Sequence, residues 1–253
     1  MKKYNTALVT GGCQRIGLSI VKYLASKGLN IVVQYNKSSK EIRKIERIIK
    51  EYNVKFHSFK FDFENLESLE ESYEKIIKKI GKIDILINNA SAFDYDSLDT
   101  SDFILFDRHI NVNLKAPFFL SKYFKKNLGS KSGLIINLLD QRVNNITPYF
   151  TSYTISKFGL YALTKSLALS ISPNIRVNGI SPGPTLKSKN QSAKQFDEQV
   201  GRTPLKKSVK LSDINNAVGY LVDNSSITGE ILTLDSGKSL GWLNTTSNIF
   251  NIA

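Results

Sequence analysis

The sequence predicts a single-domain, doubly wound α/β fold: a seven-stranded, mostly parallel sheet with helices on both faces. Three observations carry that prediction. Short runs rich in β-branched residues alternate with longer amphipathic stretches along the whole chain, which is the rhythm of repeated strand-helix-strand units. A glycine-rich turn directly follows the first apolar run and directly precedes the first helical pattern. No internal repeat and no long linker divides the 253 residues, a length that one α/β domain can fill.

The elements follow in order. Thr6–Thr10 reads as a strand, then helix Ile16–Lys27, strand Ile31–Tyr35 and helix Lys40–Tyr52. Val54–Phe61, Ile83–Asn88, Leu134–Leu138, Ile175–Ile180 and Ile231–Leu234 complete the strands, whose β-branched content and brevity suit buried parallel positions. Helical spacing of apolar residues marks Leu66–Ile80, Asp102–Lys126, Ser152–Ile171 and Ser212–Asp223. Residues 181–211 break the rhythm with Pro182, Gly183, Pro184 and Pro204, and a connection of that length suggests a lid over a site or a partly disordered loop. A polar C-terminal tail is expected after residue 242.

Composition narrows the class. With 41% hydrophobic residues the chain can build a sizeable core. No apolar run reaches the roughly 18–20 residues a membrane span requires, so no membrane partner is expected. The strand-like Ala7-Leu8-Val9 so close to Met1 argues against a secretory signal, and the single cysteine, Cys13, excludes an internal disulfide. A cytoplasmic location is the expectation. The net charge of +13 is spread along helices in which lysines interleave with Glu41, Glu46 and Glu74. That is the pattern of solvated helix faces, so no nucleic-acid partner is expected, although the positive field favours anionic ligands. His57 and His109 lack paired ligand spacing, and no metal site is expected.

The turn Thr10-Gly11-Gly12-Cys13-Gln14-Arg15-Ile16-Gly17 suits a dinucleotide pyrophosphate. Its glycines permit a tight bend, and Gly11, Arg15, Ile16 and Gly17 lie where helix amides face an anion. A tight turn with no ligand remains the alternative. At the end of the second strand stand Tyr35-Asn36-Lys37-Ser38, with no carboxylate to hold a ribose 2′-hydroxyl. Lys37, Ser38 and Arg15 instead favour a 2′-phosphate, hence NADP(H), unless Lys37 is an ordinary solvated lysine. Cys13 lies beside a helix N-terminus that would favour thiolate, but a small residue tolerated in the turn is the simpler reading.

Tyr153 and Lys157 are four residues apart on one predicted helix and share a face. An ammonium beside a phenol lowers the phenol's pKa and makes it a workable proton donor. The pair gains meaning from its company: Asn88-Asn89-Ala90-Ser91 after a strand, Asn113 within a helix, Pro182-Gly183 after the sixth strand, and Thr228-Gly229 before the last. In residue type, order and spacing these motifs resemble the short-chain dehydrogenase/reductase family, from Ala7 to about Gly241. The resemblance implies a Rossmann-type fold and a proton-relay set of Asn113, Tyr153 and Lys157, with Tyr153 the donor. Lys157 would also hold the nicotinamide ribose; Asn89, Ala90 and Ser91 would flank the cofactor; Asp62 would reach the adenine. Pro182 and Gly183 would back the nicotinamide, and Asp84 would be structural.

Two departures point to a branch. Most members carry a serine thirteen residues before the tyrosine, where this chain has Asp140, and Arg15 replaces the middle glycine of the phosphate turn. Both resemble the pteridine reductases, as do Tyr35–Ser38 and Asn89-Ala90-Ser91-Ala92-Phe93, whose Phe93 takes the place of an aromatic that stacks on the pterin. A carboxyl group near Tyr153 suits an amino-pyrimidine, and a flat ring gains from stacking on Phe93. The expected substrate set is Arg15, Ser91, Phe93, Asp140 and Tyr153, with Asp140 also counted as catalytic. Alternatively, Asp140 merely pairs with Arg142 or Lys157. The expected activity is NADPH-dependent reduction of a dihydropterin or related pteridine. A carbonyl reductase or alcohol dehydrogenase of the same fold, and a non-enzymatic NADP(H)-binding regulator, are the rivals. The family resemblance implies a homotetramer or homodimer.

Overall fold

The computed structural model describes residues 4–189 and 191–240, so the expected tail after residue 242 lies outside the described residues. Seven strands form one sheet in the order β3-β2-β1-β4-β5-β6-β7. They are β1 (Thr6–Thr10), β2 (Asn30–Tyr35), β3 (Phe56–Lys60), β4 (Ile85–Asn88), β5 (Gly133–Leu138), β6 (Ile175–Pro182) and β7 (Ile231–Leu234). Every neighbouring pair is parallel. The strands lie within a residue or two of the expected ones; only β3 is shorter at both ends.

The helices between them are α1 (Arg15–Ser26), α2 (Ser39–Lys50), α3 (Leu69–Ile80), α4 (Phe103–Ile110), α5 (Ala116–Leu128), α6 (Thr151–Ser170), α7 (Ala193–Gly201) and α8 (Leu211–Asp223). Alternation along each strand divides the side chains between two cores. Ala7, Val9, Ile31, Val33, Ile85, Ile87, Leu134 and Ile136 pack with α1 and α8 on one face. Leu8, Val32, Leu86 and Ile135 pack with α3 and α5 on the other. Complete burial of an Ile or Leu contributes about 1.5–3 kcal/mol, so this two-sided sheet is what holds the site's scaffold rigid. Asp84 is structural, as expected: its carboxylate accepts from the amides of Asn5 and Thr6 at 2.9 and 3.0 Å and pairs with Lys82.

Two expectations need correction. The helix expected over Asp102–Lys126 is interrupted by a π turn at Asn111–Lys115, in which the Ala116 amide bonds to the Asn111 carbonyl five residues back. Residues 181–211 are not one long loop. They extend β6 and then form α7, begun by a reciprocal capping box between Ser192 and Gln195.

Candidate active site

The strand order reverses between β1 and β4. Helices leave these neighbours in opposite directions, so a crevice opens at their C-terminal ends, where doubly wound sheets bind ligands. Thr10 Oγ1 accepts hydrogen bonds from the amides of Asn89 and Ala90 at 2.9 and 3.0 Å, and Asn89 Nδ2 donates to the Thr10 carbonyl at 2.8 Å. The turns after β1 and β4 are therefore one unit. Gly11 has φ +60, and its amide donates at 2.9 Å to Gln34 Oε1, whose amide group donates in turn to the Phe61 carbonyl at 2.6 Å. Gln34 is a positioning residue the sequence did not reveal, because a lone glutamine in an apolar strand carries no signal.

The first helical bond of α1 runs from the Leu18 amide to the Gln14 carbonyl at 3.1 Å, leaving the amides before it, around Ile16 and Gly17, for an anion. A Cβ on Gly17 would meet the Gly11 carbonyl and lie 2.6 Å from Asn89 Nδ2. Gly17→Ala is accordingly expected to weaken dinucleotide binding about tenfold or more, equivalent to about 1.4 kcal/mol, in a fluorescence titration; unchanged affinity would separate this turn from the cofactor. Arg15 adopts φ 53, and its guanidinium donates to the Leu186 carbonyl at 3.1 Å, bridging the groove to the segment after β6. At the end of β2, Tyr35 and Asn36 are half-buried and Lys37 is exposed. Ser38 is the N-cap residue of α2 without using its side chain as a cap. Asp62, exposed after β3, accepts from the Glu64 amide at 3.0 Å.

On the other side of the crevice, α6 starts beside the end of β5. Tyr153 is 4% exposed, and its hydroxyl donates to Asp140 Oδ2 at 2.9 Å. Asp140 Oδ1 accepts from the Arg142 amide at 2.9 Å and more weakly from its guanidinium at 3.4 Å. Lys157 is buried and donates to the Leu138 carbonyl at 2.8 Å, its ammonium 5.7 Å from the centre of the Tyr153 ring. Burial pushes the Lys157 pKa down to about 8, partly opposed by Asp140. Here the structure departs from the expectation that Lys157 would lower the phenol's pKa. Burial first, and then the Asp140 carboxylate, push Tyr153 well above its ordinary value, so the phenol is held protonated.

Asn113 lies in the π turn, fully buried. Its side chain accepts from the Ala92 amide at 2.8 Å and donates to the Ala92 carbonyl at 3.0 Å and to Ser156 Oγ at 2.9 Å. The Asn113 side chain thus ties the Asn89–Ala92 segment to α6, its hydrogen bonds going to Ala92 and Ser156 and not to Tyr153 or Lys157. Ser91 has two acceptors for its one hydroxyl proton, the Ala92 carbonyl at 3.2 Å and the Tyr153 oxygen, and donation to the latter opposes the rise in the phenol's pKa. The Gly183 amide bonds to the Leu234 carbonyl at 2.8 Å, which fixes Pro182 and Gly183 at the edge of the crevice.

Phe93 is 38% exposed and forms a shelf over this set. Its ring stacks on Phe150 at 4.7 Å and 4° and meets Tyr153 edge-on at 4.7 Å. The Arg142 guanidinium lies 4.7 Å from the Phe150 ring centre and 5.5 Å from that of Phe93. Neither Phe150 nor the packing of Arg142 was foreseen. Cys13 is buried, and burial with a contribution from Glu41 pushes its thiol up to about 12. That supports the simple packing reading over a reactive thiolate. No group of three metal-ligating side chains occurs among the described residues, and none of their helices is long and apolar enough to cross a membrane.

An anion-cradling turn at the switch point, a buried lysine and a protonated phenol within one crevice define a class: the nicotinamide-dependent oxidoreductases of doubly wound fold. The chain belongs to the short-chain dehydrogenase/reductase family, as residues 12–239 match the family model described as enoyl-(acyl carrier protein) reductase. Among solved structures it is similar to FolM alternative dihydrofolate reductase 1 from Brucella suis in complex with NADP. The TM-score is 0.91 at 38% identity, over 96% of this chain and 98% of that one. The corresponding Brucella canis protein, also complexed with NADP, gives a TM-score of 0.90 at 38% identity, over 98% of each chain. Among curated relatives, 2-dehydro-3-deoxy-D-gluconate 5-dehydrogenase of Formosa agariphila is 30% identical over 93% of this chain and 92% of its own length. The 3-oxoacyl-[acyl-carrier-protein] reductase FabG of Buchnera aphidicola is 28% identical over 91% of this chain and 96% of its own.

Proposed function

We propose that this protein is an NADPH-dependent reductase of a dihydropterin or related pteridine, with Tyr153 as the proton donor. The observation that carries the reading is the 2.9 Å bond from the Tyr153 hydroxyl to Asp140, set against the aromatic shelf of Phe93 and Phe150. A carboxylate and a flat aromatic surface beside one phenol suit a nitrogen-rich planar ring better than a simple ketone. The likeness to the two NADP-bound Brucella reductases supports the same reading.

The residues present fit NADP(H). A Cβ at Gly11 or Gly17 would press on the Asn89–Ala90 segment or the Gly11 carbonyl, so glycine lets this turn close tightly with its amides free for a pyrophosphate, and no carboxylate stands at Tyr35–Ser38, where Lys37 and Ser38 would meet a 2′-phosphate. Asp62 would meet the adenine end, Asn89, Ala90 and Ser91 the middle, and Pro182 and Gly183 the nicotinamide. The cofactor, when bound, supplies a hydride to one carbon of the substrate's C=N bond. Tyr153 gives its proton to the nitrogen of that bond, and the Lys157 ammonium stabilises the phenolate left behind. Asp140 holds the amino-pyrimidine edge through its two acceptor oxygens, Phe93 supports the ring's face, and Arg15 closes the groove from above. Exposed Phe103, Ile104 and Ile155 on α4 and α6 support the assembly of copies into a homodimer or homotetramer.

The rival reading, a carbonyl reductase, is favoured by the FabG likeness. NADPH consumption measured against 7,8-dihydropterins, dihydrofolate and a ketone panel separates the two. Turnover of ketones alone would end the pteridine reading. Asp140→Ser sharpens the test. Its kcat/KM for a dihydropterin is expected to fall about a hundredfold, the equivalent of about 2.7 kcal/mol, while NADPH affinity stays unchanged. An unaltered dihydropterin rate would reduce Asp140 to a partner of Arg142.

A further inference from the structure

Three buried polar side chains from three segments converge beside Tyr153, and the mechanism above uses none of them. His109 on α4 and Asp96 are fully buried, and Ser152 opens α6 at 1% exposure. His109 Nε2 accepts from the Asp94 amide at 3.2 Å, which leaves the ring proton on Nδ1, donated to Ser152 Oγ at 2.6 Å. The Ser152 amide donates to Asp96 Oδ2 at 3.0 Å, and the Phe150 amide donates to the Asp96 carbonyl at 2.7 Å. The edge of the imidazole packs against the Tyr153 ring at 5.9 Å. One side chain therefore joins the loop that begins with Phe93 to the helix start that carries Tyr153, and each ring nitrogen holds one of the two.

We infer that His109 is a positioning residue with two separable tasks: its Nδ1 bond sets Tyr153, and its Nε2 bond sets Phe93. In the chemical roles it gives those residues, the inference rests on the reading under Proposed function. Misplacement of a reacting group by about 1 Å costs up to about a hundredfold in rate, so buried hydrogen bonds that fix such groups have kinetic consequences. The Nε2 bond needs a neutral ring, whereas the Nδ1 bond survives protonation, and the surroundings keep the ring neutral. Burial lowers the imidazole pKa, Arg108 and Lys157 add to that, and the carboxylates of Asp96 and Asp94 oppose it. Asp94 Oδ2 lies 4.0 Å from Nε2 but is paired with Arg108 at 2.9 Å. A second ring proton would displace the Asp94 amide from its acceptor.

Two isosteric variants separate the tasks. His109→Asn places an amide nitrogen near the Nδ1 position and keeps the Ser152 bond, but offers Asp94 no acceptor. His109→Gln does the reverse, reaching the Nε2 position and abandoning Ser152. For a dihydropterin, His109→Asn is expected to raise KM about tenfold with kcat within about threefold, and His109→Gln to lower kcat about tenfold with KM little changed. NADPH affinity stays constant in both. Amide hydrogen exchange, which needs no substrate, is expected to quicken at 93–96 in the first variant only and at 151–153 in the second only. Should His109→Gln not fold, Ser152→Ala removes the same bond without touching the imidazole. Equal losses in both parameters for both variants, or wild-type exchange in both segments, would overturn the inference. If the enzyme turns over only ketones, the pteridine reading falls, while the exchange pattern and the kinetic split on a ketone still decide the role of His109.

Discussion

Replacing Tyr153 with phenylalanine is expected to lower kcat by about a hundredfold to ten-thousandfold, the range that loss of a positioned general acid produces. The phenol is 4% exposed and makes its hydroxyl bond to Asp140 at 2.9 Å, so removing one oxygen leaves the ring, its edge contact with Phe93 and the fold in place. NADPH affinity is accordingly expected to change little, and single-turnover measurements of hydride transfer should show the deficit in the chemical step. The pH profile carries the same argument. Tyr153 is held well above its ordinary pKa and stays protonated through the neutral range, whereas Lys157 titrates near 8. The wild-type rate is expected to decline above about pH 8 as the ammonium that stabilises the phenolate is lost. A Tyr153→Phe enzyme with normal kcat would remove the phenol from the mechanism altogether.

Lys157→Met is expected to have the second large effect, and it is double: turnover is lost while the fold becomes more stable. The wild-type lysine is 3% exposed, and burial lowers its pKa from 10.5 to about 8. Below pH 8 the ammonium is charged in both folded and unfolded chains, and the folded protein bears the full penalty of burying it, about 3 kcal/mol at 1.36 kcal/mol per pKa unit. Between pH 8 and 10.5 the folded chain releases the proton first, so wild-type stability rises with pH across that window. Methionine fills similar volume without charge but gives up the bond to the Leu138 carbonyl, worth about 1 kcal/mol. The net gain is about 2 kcal/mol at pH 7, or roughly 4–8 °C in Tm for a domain of this size. Calorimetry at pH 7 and pH 9.5 should show the gain at the lower pH and its shrinkage at the higher. A variant less stable at pH 7 would mean that the lysine is a structural support rather than a functional burden.

The strands were legible because a parallel strand covered on both faces is apolar at most of its positions, with the few polar ones hydrogen-bonded, as Gln34 is. Leu8 and Val9 point into different cores and yet look alike in the sequence. Tyr153, Lys157, Gly17 and Asn89 were legible because they recur in order as motifs. Features made by distant pairing stayed hidden. Phe150 stacks on Phe93, 57 residues away in a different loop, and neither position alone announces the other. His109 reads in the sequence as an isolated histidine, since its partners Asp94 and Ser152 reach it only through the fold. Helix α7 had a local signal that went unread: Ser192 followed three residues later by Gln195 is a capping-box pattern. Its polar, proline-flanked setting suggested a loop more strongly than four letters suggested a helix.

The π turn at Asn111–Lys115 has a consequence for how this region tolerates change in length. A hydrogen bond that spans five residues instead of four accommodates one surplus residue, and each residue turns a helix by about 100°. Helix α4 therefore presents its inner face to α6, while α5, continuing the same axis out of phase, presents its own to α3 and the sheet. Deleting one residue between Asn111 and Lys115 would restore an unbroken α-helix of good hydrogen bonding and at the same time turn one of those faces away from its partner. Perfecting the helix would thus cost the molecule its interlock, and Asn113 sits at the seam between the two phases.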